Sequence, residues 1–337
     1  MEILTDIIKI DSTEWQTLVH RSHTATWFQT EQAYRFYASL PEIMLPFVVA
    51  VRKGEEETSL RGICVGYVTK EKSPLKQFFS RRAIIIGGPM LAEDATAAEV
   101  TALMDAVCQQ LQSKAIYIET RNFNDYSRWK EAFKNAGFEY QPHLNFHVDT
   151  SSREILDANL GKGKKRDIRT TIREGAEIIT EPTIEQVKAY YAILSRLYKA
   201  KVKTPLFAWT FFENLYRLPS AHFILVGLKG EIIGGTVCVE LAGRALYEWF
   251  ACGEDGLIKA VFPSSYATYA GMCYAADHAC PLFDMMGAGK PEEEYGVRIF
   301  KAHFGGQLVE HGRFMHICNP LLYKTGTIGV KIMKNLK

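Results

Sequence analysis

Two short segments with a common pattern lie one in each half of the chain. Residues 132–138 read Ala-Phe-Lys-Asn-Ala-Gly-Phe, and residues 299–305 read Ile-Phe-Lys-Ala-His-Phe-Gly. Each follows runs typical of strands and a helix, and each contains a glycine of the kind that ends a helix. The two segments lie well over a hundred residues apart, and a repeat of that length indicates two copies of one α/β domain. We therefore expect the α/β class with mixed sheets, in two tandem domains spanning residues 1–155 and 156–337.

Composition agrees with two folded domains, because 47% of the 337 residues are hydrophobic and 23% are charged. The first residues lack the basic start and apolar run of a secretion signal, and no apolar run approaches the ~20 residues that cross a bilayer. We expect a cytoplasmic protein. The seven cysteines include no Cys-x-x-Cys pair, and the histidines have no accompanying cluster of ligands. We therefore expect no disulfide framework, no metal and no bound cofactor.

An apolar run near the C-terminus ends in a carboxylate and a glycine-rich turn. Residues 283–291 read Phe-Asp-Met-Met-Gly-Ala-Gly-Lys-Pro, which is typical of a buried strand that opens into a loop. Val297, Phe300 and Phe304 then follow at helical spacing, which places Lys301 beside a packed face. We expect a binding site at this loop. On these residues alone, a turn capped by Asp284 and a lysine extending from a half-buried helix is the alternative.

Positive charge is concentrated at the start of the second half, although the whole chain has a net charge of only +2. Residues 161–173 contain one acid and the cations Lys162, Lys164, Lys165, Arg166, Arg169 and Arg173. Ile168 and Ile172, four residues apart, predict the packed side of a helix. We expect the cations to bind an anion, and a solvated helix face is the alternative.

Several of these motifs resemble the FemABX family. The turn Asp-x-x-Gly-Ala-Gly at 284–289, the pair Tyr-Gly at 295–296 and the run Phe-Lys-x-x-Phe-Gly-Gly at 300–306 are similar to its C-terminal signature. The basic run ending at Gly175 also resembles the family. So does the start Trp-Phe-Gln-Thr at 27–30, which is followed by Arg35. The family comprises peptidoglycan-bridge aminoacyltransferases and related acyltransferases with tandem GNAT-like domains. The coiled-coil arm of some members is missing here.

The resemblance implies transfer of an amino acid from aminoacyl-tRNA to an amine of a phosphate-bearing peptidoglycan precursor. Lys301 would then interact with the transition state and the acyl ester of the donor. Asp284, Glu294 and Tyr295 are candidates to position the amine or relay its proton, and Asp284 and Tyr295 are our choices. The residues expected to bind substrate, largely through phosphate groups, are Arg35, Lys164, Lys165, Arg166 and Arg169, together with the backbone at Gly287 and Gly289.

Two other functions fit parts of the sequence. An N-acyltransferase of the same fold would use acyl-CoA as co-substrate, but neither 82–89 nor 286–290 matches the Arg/Gln-x-x-Gly-x-Gly/Ala turn that holds its pyrophosphate. An RNA-binding protein would explain the basic run, but no aromatic residues alternate with its cations. The lysine-containing tail, residues 320–337, predicts either contact with a membrane surface or a terminal helix or strand. No obligate protein partner is expected.

Overall fold

The structure is a computed structural model that describes residues 1–54, 59–71, 73–202 and 205–326. It divides into two compact units, each built on one mixed sheet. Unit 1 comprises Met1–His143 and the segment that starts at Glu310, and unit 2 comprises Leu144–Val309. The predicted α/β class is therefore confirmed.

Unit 1 contains an antiparallel sheet with one parallel pair. Its strands are β1 (Glu2–Leu4), β2 (Met44–Arg52), β3 (Leu60–Thr69), β4 (Arg82–Gly87), β5 (Met90–Leu91), β6 (Tyr117–Asn122), β7 (Glu139–Gln141) and β15 (Arg313–Ile317). Its helices are α1 (Ser12–Arg21), α2 (Glu31–Ala38), α3 (Pro74–Ser80), α4 (Ala97–Leu111) and α5 (Lys130–Asn135). The strand order is β1-β2-β3-β4-β6-β15-β7, with β5 beside β3, and only β4 and β6 run parallel.

Unit 2 has the same kind of sheet. Its strands are β8 (Leu144–Asp149), β9 (Glu177–Ile179), β10 (Ala221–Leu228), β11 (Glu231–Leu241), β12 (Ala245–Gly253), β13 (Leu282–Gly287) and β14 (Gln307–Glu310). Its helices are α6 (Arg153–Asn159), α7 (Lys162–Arg173), α8 (Ile184–Leu197), α9 (Trp209–Tyr216), α10 (Pro263–Asp277) and α11 (Gly296–Ala302). The strand order, read from the other edge, is β9-β10-β11-β12-β13-β8-β14, and β12 and β13 are the parallel pair.

The two sheets share their strand order, as the internal repeat predicts, but the sixth strand of each comes from the other half of the chain. β8 follows the first repeat and lies beside β13 in unit 2, whereas β15 follows the second repeat and lies beside β6 in unit 1. The predicted boundary between residues 155 and 156 is therefore corrected. Alternating apolar residues identify a strand but do not identify its partner, so the exchange leaves no mark in the sequence.

The repeated segments form equivalent elements. Both α5 and α11 are followed by a glycine with a left-handed backbone, Gly137 at φ +77° and Gly305 at φ +79°, and then by a short strand. A Cβ atom at Gly305 would lie 2.2 Å from the carbonyl oxygen of Asn159, so both the backbone angle and the contact require glycine there. The glycine stop therefore fixes how α11 packs onto the end of α6.

A buried amide fills a gap in the sheet of unit 1. β3 and β4 pair only through Tyr67–Ile84 and Val68–Ala83. Farther along, the Gln29 side chain accepts from the N–H of Val65 and donates to the carbonyls of Val65 and Ile86. Gln29 is fully buried, so the Gln-Thr motif has a structural role in this unit.

The described part of the tail, residues 320–326, is helical, and its Leu321 is 75% exposed. Lys331, Lys334 and Lys337, on which the membrane-surface prediction largely rests, lie outside the described residues. The turn predicted at 203–205 also falls largely outside them. Among the described helices, none has the length and apolar character needed to cross a bilayer.

Candidate active site

The end of β13 is shaped by the predicted Asp284 and by an unusual backbone angle. Met286 has φ +57°, a left-handed conformation that a side chain with a Cβ disfavours. Oδ1 of Asp284 accepts a 2.6 Å hydrogen bond from the Met286 N–H, and Oδ2 lies 3.2 Å from Nε2 of His147 on β8. Asp284 is fully buried. It therefore holds the loop in shape, and its burial argues against the predicted direct contact with an amine substrate.

Lys301 is buried at the same strand end. Its ammonium donates to the carbonyls of Met285 and Gly287, the second at 3.0 Å, so it binds on both sides of Met286. Lys301 is 9% exposed, whereas Val297, predicted on the packed face of α11, is 41% exposed. The alternative interpretation, in which Lys301 extends from a half-buried helix into solvent, is therefore wrong. An ammonium has three donor hydrogens, and no third acceptor binds it within the described ranges, so one remains for a ligand.

A buried glutamate that the sequence analysis did not identify supports this lysine. Glu248 on β12 is 6% exposed, and its Oε1 accepts from Thr268 at 2.9 Å and from Thr236 at 3.2 Å. Burial raises the pKa of Glu248, and the charge of Lys301 opposes that rise. Burial lowers the pKa of Lys301, opposed by the charges of Glu248 and then Asp284. A single acid within an apolar strand, Tyr-Glu-Trp at 247–249, was the signal available in the sequence.

The parallel pair β12–β13 separates at this point. The strands pair only from Ala245–Leu282 to Tyr247–Asp284, and Glu248 is the first β12 residue beyond the paired segment. β12 also has a bulge against β11, because Val237 pairs with Phe250 and the next residue, Cys238, pairs with Glu248. Bulges and strand ends are common where a sheet redirects side chains toward a functional site. The separation therefore brings buried acidic and basic groups to one opening of the sheet.

Tyr295 and the loop glycines lie together. Tyr295 is 39% exposed at the start of α11, and its hydroxyl has no hydrogen-bond partner in the part of the chain that the structure describes. Gly289 has φ +80°, and a Cβ there would lie 2.9 Å from Cδ1 of Tyr295. The carbonyl of Gly289 accepts from the Leu144 N–H, and that of Gly287 accepts from Lys301. These two glycines thus shape the loop, and Tyr295 is the side chain beside them that a ligand can reach.

The backbone N–H groups of the loop are less available than the sequence suggested. The N–H of Met286 is bound by Asp284, and the N–H of Ala288 donates to the Leu144 carbonyl. Neither can stabilise an oxyanion without breaking an existing hydrogen bond. The remaining hydrogen of Lys301 is therefore the best candidate for that task.

The structure separates Lys164 from the other predicted cations. Its ammonium donates to Oγ of Ser265 at 2.7 Å and lies 4.1 Å from the ring centre of Phe300 and 5.1 Å from that of Phe304. Partial burial lowers its pKa. Lys164 thus anchors α7 beside α11 through a cation–π contact, so the prediction that it faces an anionic substrate is not supported.

The other cations form one surface, which we call the α7 basic face. Its members, which line a shallow groove with Thr170, are Lys162, Lys165, Arg166, Arg169 and Arg173. Their spacing places them on one side of the helix, with Ile168 buried on the other. Ile172, predicted to pack beside Ile168, is 47% exposed. Lys165, Arg166 and Arg169 thus lie on one continuous surface, as anion binding by these residues would require, and their anion-binding role stays a prediction.

Arg35 belongs to unit 1, on α2. Its Nε lies 2.9 Å from Oε1 of Glu31, and the side chain is 71% exposed. An i,i+4 ion pair of this kind is common on solvated helices. Its predicted phosphate contact stays a prediction. In the described parts of the chain, no three His, Cys, Asp or Glu side chains form a group that could hold a metal ion.

Solved structures resemble the chain over almost its whole length. A crystal structure of FemX matches with a TM-score of 0.72 at 16% identity, covering 96% of this chain and 99% of that one. The C-terminal domain of a putative lysylphosphatidylglycerol synthetase from Agrobacterium fabrum matches with a TM-score of 0.59 at 11% identity, covering 96% and 95%.

A tandem GNAT protein from the clavulanic acid biosynthesis pathway gives 0.57 at 10% identity, covering 95% and 99%. No family model and no curated protein sequence matches the chain. At these identities the likeness concerns the fold. The chain therefore shares its fold with FemX and with a tandem GNAT protein, which confirms the fold that the sequence motifs implied.

Proposed function

We propose that the protein is an acyltransferase that forms an amide bond, with its reaction centre in unit 2 at the end of β13. The observation that carries this proposal is the buried Lys301 ammonium, held by two carbonyls of the loop with one hydrogen unused. A fixed cation in a site of low dielectric stabilises an oxyanion more than water can. The fold likeness to FemX and to a tandem GNAT protein supports the same reaction class.

The chemistry is the attack of a neutral amine on an activated acyl group. A C–N bond forms, the bond between the acyl carbon and its leaving oxygen or sulfur breaks, and the amine proton leaves with the departing group or to solvent. The carbonyl oxygen gains negative charge in between, where the Lys301 hydrogen would meet it. The Tyr295 hydroxyl is a candidate to orient the amine. No covalent enzyme intermediate is required.

We propose aminoacyl-tRNA as the acyl donor. The α7 basic face places five cations along one side of a helix, each about one turn or less from the next. Such a row of cations suits successive phosphates of a nucleic-acid backbone better than a single pyrophosphate. The resemblance described above implies a peptidoglycan precursor as the amine acceptor.

Acyl-CoA is the second candidate donor, because the fold is shared with a tandem GNAT protein. A helix N-terminus after a strand is the expected place for its pyrophosphate. In unit 2 the helix after β12 is α10, and its Ser264 N–H already donates to Oδ1 of Asp255 at 3.1 Å. That carboxylate would repel a pyrophosphate, which favours the tRNA donor.

The decisive experiment offers both donors to the protein. Charged tRNA carrying radiolabelled amino acids, or acetyl-CoA, is incubated with the protein and a UDP-linked peptidoglycan precursor that carries a free amine. We expect label to move from tRNA to the amine. We also expect Lys165→Ala with Arg169→Ala to weaken tRNA binding and to reduce the slope of log K against log salt by about two, roughly one for each lost phosphate contact.

Consumption of acetyl-CoA alone would replace the donor and keep the reaction class. Consumption of neither donor by the folded protein would refute the proposed function. Unchanged tRNA affinity and salt slope in the double variant would reduce the α7 basic face to a solvated surface.

A further inference from the structure

A second group of charged side chains lies in unit 1, apart from the loop after β13 and from the α7 basic face. It occupies one face of the parallel pair β4–β6 and of the neighbouring strands β15 and β7. The register pairs Arg82 with Tyr117 and Met315 with Glu119, so alternate residues of these strands share that face. The charged members of the face are Arg82, Glu119, Arg121, Glu139 and Arg313. We call them the β6 charge cluster.

Two arginines of the cluster converge on a single carboxylate oxygen. Nε of Arg121 donates to Oε1 of Glu119 at 2.7 Å, and Nη1 of Arg313 donates to the same atom at 3.1 Å. Nη2 of Arg313 lies 2.9 Å from Nε2 of His143. Because a guanidinium can only donate, that histidine nitrogen accepts, and the ring is neutral in this arrangement. His143 therefore adds no positive charge.

The donors of the cluster exceed its acceptors. Among the described residues, no side chain or carbonyl binds the terminal Nη atoms of Arg121, which reach the surface of the unit, whereas Nε of Arg313 is buried without a partner. These side chains are only partly exposed, Arg121 at 33%, Arg313 at 25% and Glu119 at 14%. The Nη donors of Arg121 are therefore fixed in place by the Nε bond to Glu119 and are open to a further acceptor.

The charges of the cluster also favour binding of an anion. Among the described residues, three arginines and two glutamates lie on this sheet face, an excess of one positive charge. Arg121 and Arg313 hold the pKa of Glu119 below its usual range despite burial, so Glu119 is already ionised and cannot compensate further. The two guanidinium groups are fixed by strands, and such planar forks match the oxygens of a carboxylate or phosphate.

We propose that the β6 charge cluster is a binding site for a small oxyanion, the phosphate or carboxylate group of a ligand, held mainly by Arg121 with Arg313. The site goes beyond the proposed acyl transfer and does not depend on it. Arg82 adds long-range attraction from the start of β4, and Glu119 orients both guanidinium groups. Binding of the anion to the folded state raises stability by mass action.

The test measures ligand binding directly and requires no activity. Sodium phosphate and sodium succinate are titrated separately against the whole protein at constant ionic strength, by calorimetry and by thermal unfolding. We expect saturable binding, with a dissociation constant of about 1 mM, of at least one anion. Phosphate and succinate together distinguish the two ligand chemistries.

The variant Arg121→Gln should weaken binding about tenfold or more, because it removes the unused donors. Arg121→Lys keeps the charge but loses the planar fork of donors, so it should recover only part of the affinity. It also replaces Arg121→Gln as the test variant if that protein folds poorly. The matched control is Lys114→Gln, which removes one exposed cation of unit 1 that has no side-chain partner among the described residues. Absence of saturable binding by both anions, or equal losses in Arg121→Gln and Lys114→Gln, would overturn the proposal.

Discussion

Replacing Lys301 with methionine separates the chemical role of this residue from its structural role. Methionine keeps an unbranched side chain of similar length and removes the charge and all donor hydrogens. The carbonyls of Met285 and Gly287 would lose their shared donor, and Glu248 would lose its attracting cation. Both stability and activity should therefore fall.

The stability loss can be estimated from these contacts. Leaving a buried polar group unsatisfied costs about 1–3 kcal/mol. Two carbonyls are affected, and Glu248 escapes part of the penalty by taking up a proton, so we expect a loss of about 2–4 kcal/mol. For a unit of this size each 1 kcal/mol lowers Tm by about 2–4 °C.

The activity loss should exceed what partial unfolding explains. Removing a preorganised oxyanion donor typically lowers kcat about 10²-fold to 10³-fold. Transfer is assayed at a temperature where circular dichroism shows the variant fully folded, so that the rate per folded molecule is compared. kcat and kcat/KM should fall together, because the lost interaction belongs to the transition state.

The internal repeat supplies a matched control. Lys134 occupies the position in the first repeat that Lys301 occupies in the second, but its side chain is 74% exposed and pairs with Glu131 at 3.6 Å. Lys134→Met should leave Tm and rate nearly unchanged, because surface ion pairs contribute little. A Lys301→Met protein with lowered Tm and full activity per folded molecule would refute the catalytic role and leave Lys301 as a clamp on the loop.

Two further predictions concern the surroundings of Lys301. Burial raises the pKa of Glu248, so the folded state holds its proton more tightly and loses stability as pH rises from about 4 through that raised pKa. In urea unfolding, the free energy of unfolding of Glu248→Gln should rise relative to that of wild type over this pH range. A difference that does not change with pH would mean that Glu248 does not titrate there. Gly289 has φ +80°, and the Cβ atom of Gly289→Ala would lie 2.9 Å from Tyr295. The substitution should therefore lower the free energy of unfolding by about 1–2 kcal/mol and remove most of the activity. Gly296→Ala, whose new Cβ meets no atom within 4 Å, is its control, and equal effects of the two on denaturant midpoint and rate would argue against a shaped loop.

The sequence predicted those parts of the fold that depend on local patterns. The repeat, the alternation of strands and helices and the glycine stops after α5 and α11 all follow from residues close together in the chain. Which sheet received the strands β8 and β15 depends on pairing over long sequence separations. A strand can satisfy its hydrogen bonds in either sheet, so the exchange and the domain boundary required the structure.

The position of Lys301 beside the loop could be predicted because its neighbours have a helical pattern, and its catalytic role stays a prediction. Contacts between side chains of different elements could not be predicted. Lys164 looks like any member of the basic run, and only the packing of α7 against α11 brings it to Ser265 and Phe300. Glu248 is one acid in an apolar strand, and its partners Thr236 and Thr268 come from two other elements. Spacing along the chain contains no information on such contacts.

The comparison of the two units argues for placing the reaction in unit 2. Both sheets contain one parallel pair at the same position. In unit 1, β4 and β6 stay paired from Arg82 to Gly87, and the gap beside β4 is filled by the buried Gln29 amide. In unit 2, β12 and β13 part after Tyr247, and the opening meets a buried glutamate and a buried lysine. Because buried charged groups meet an open strand pair in unit 2, whereas the equivalent strand pair of unit 1 stays closed, we place the proposed reaction in unit 2.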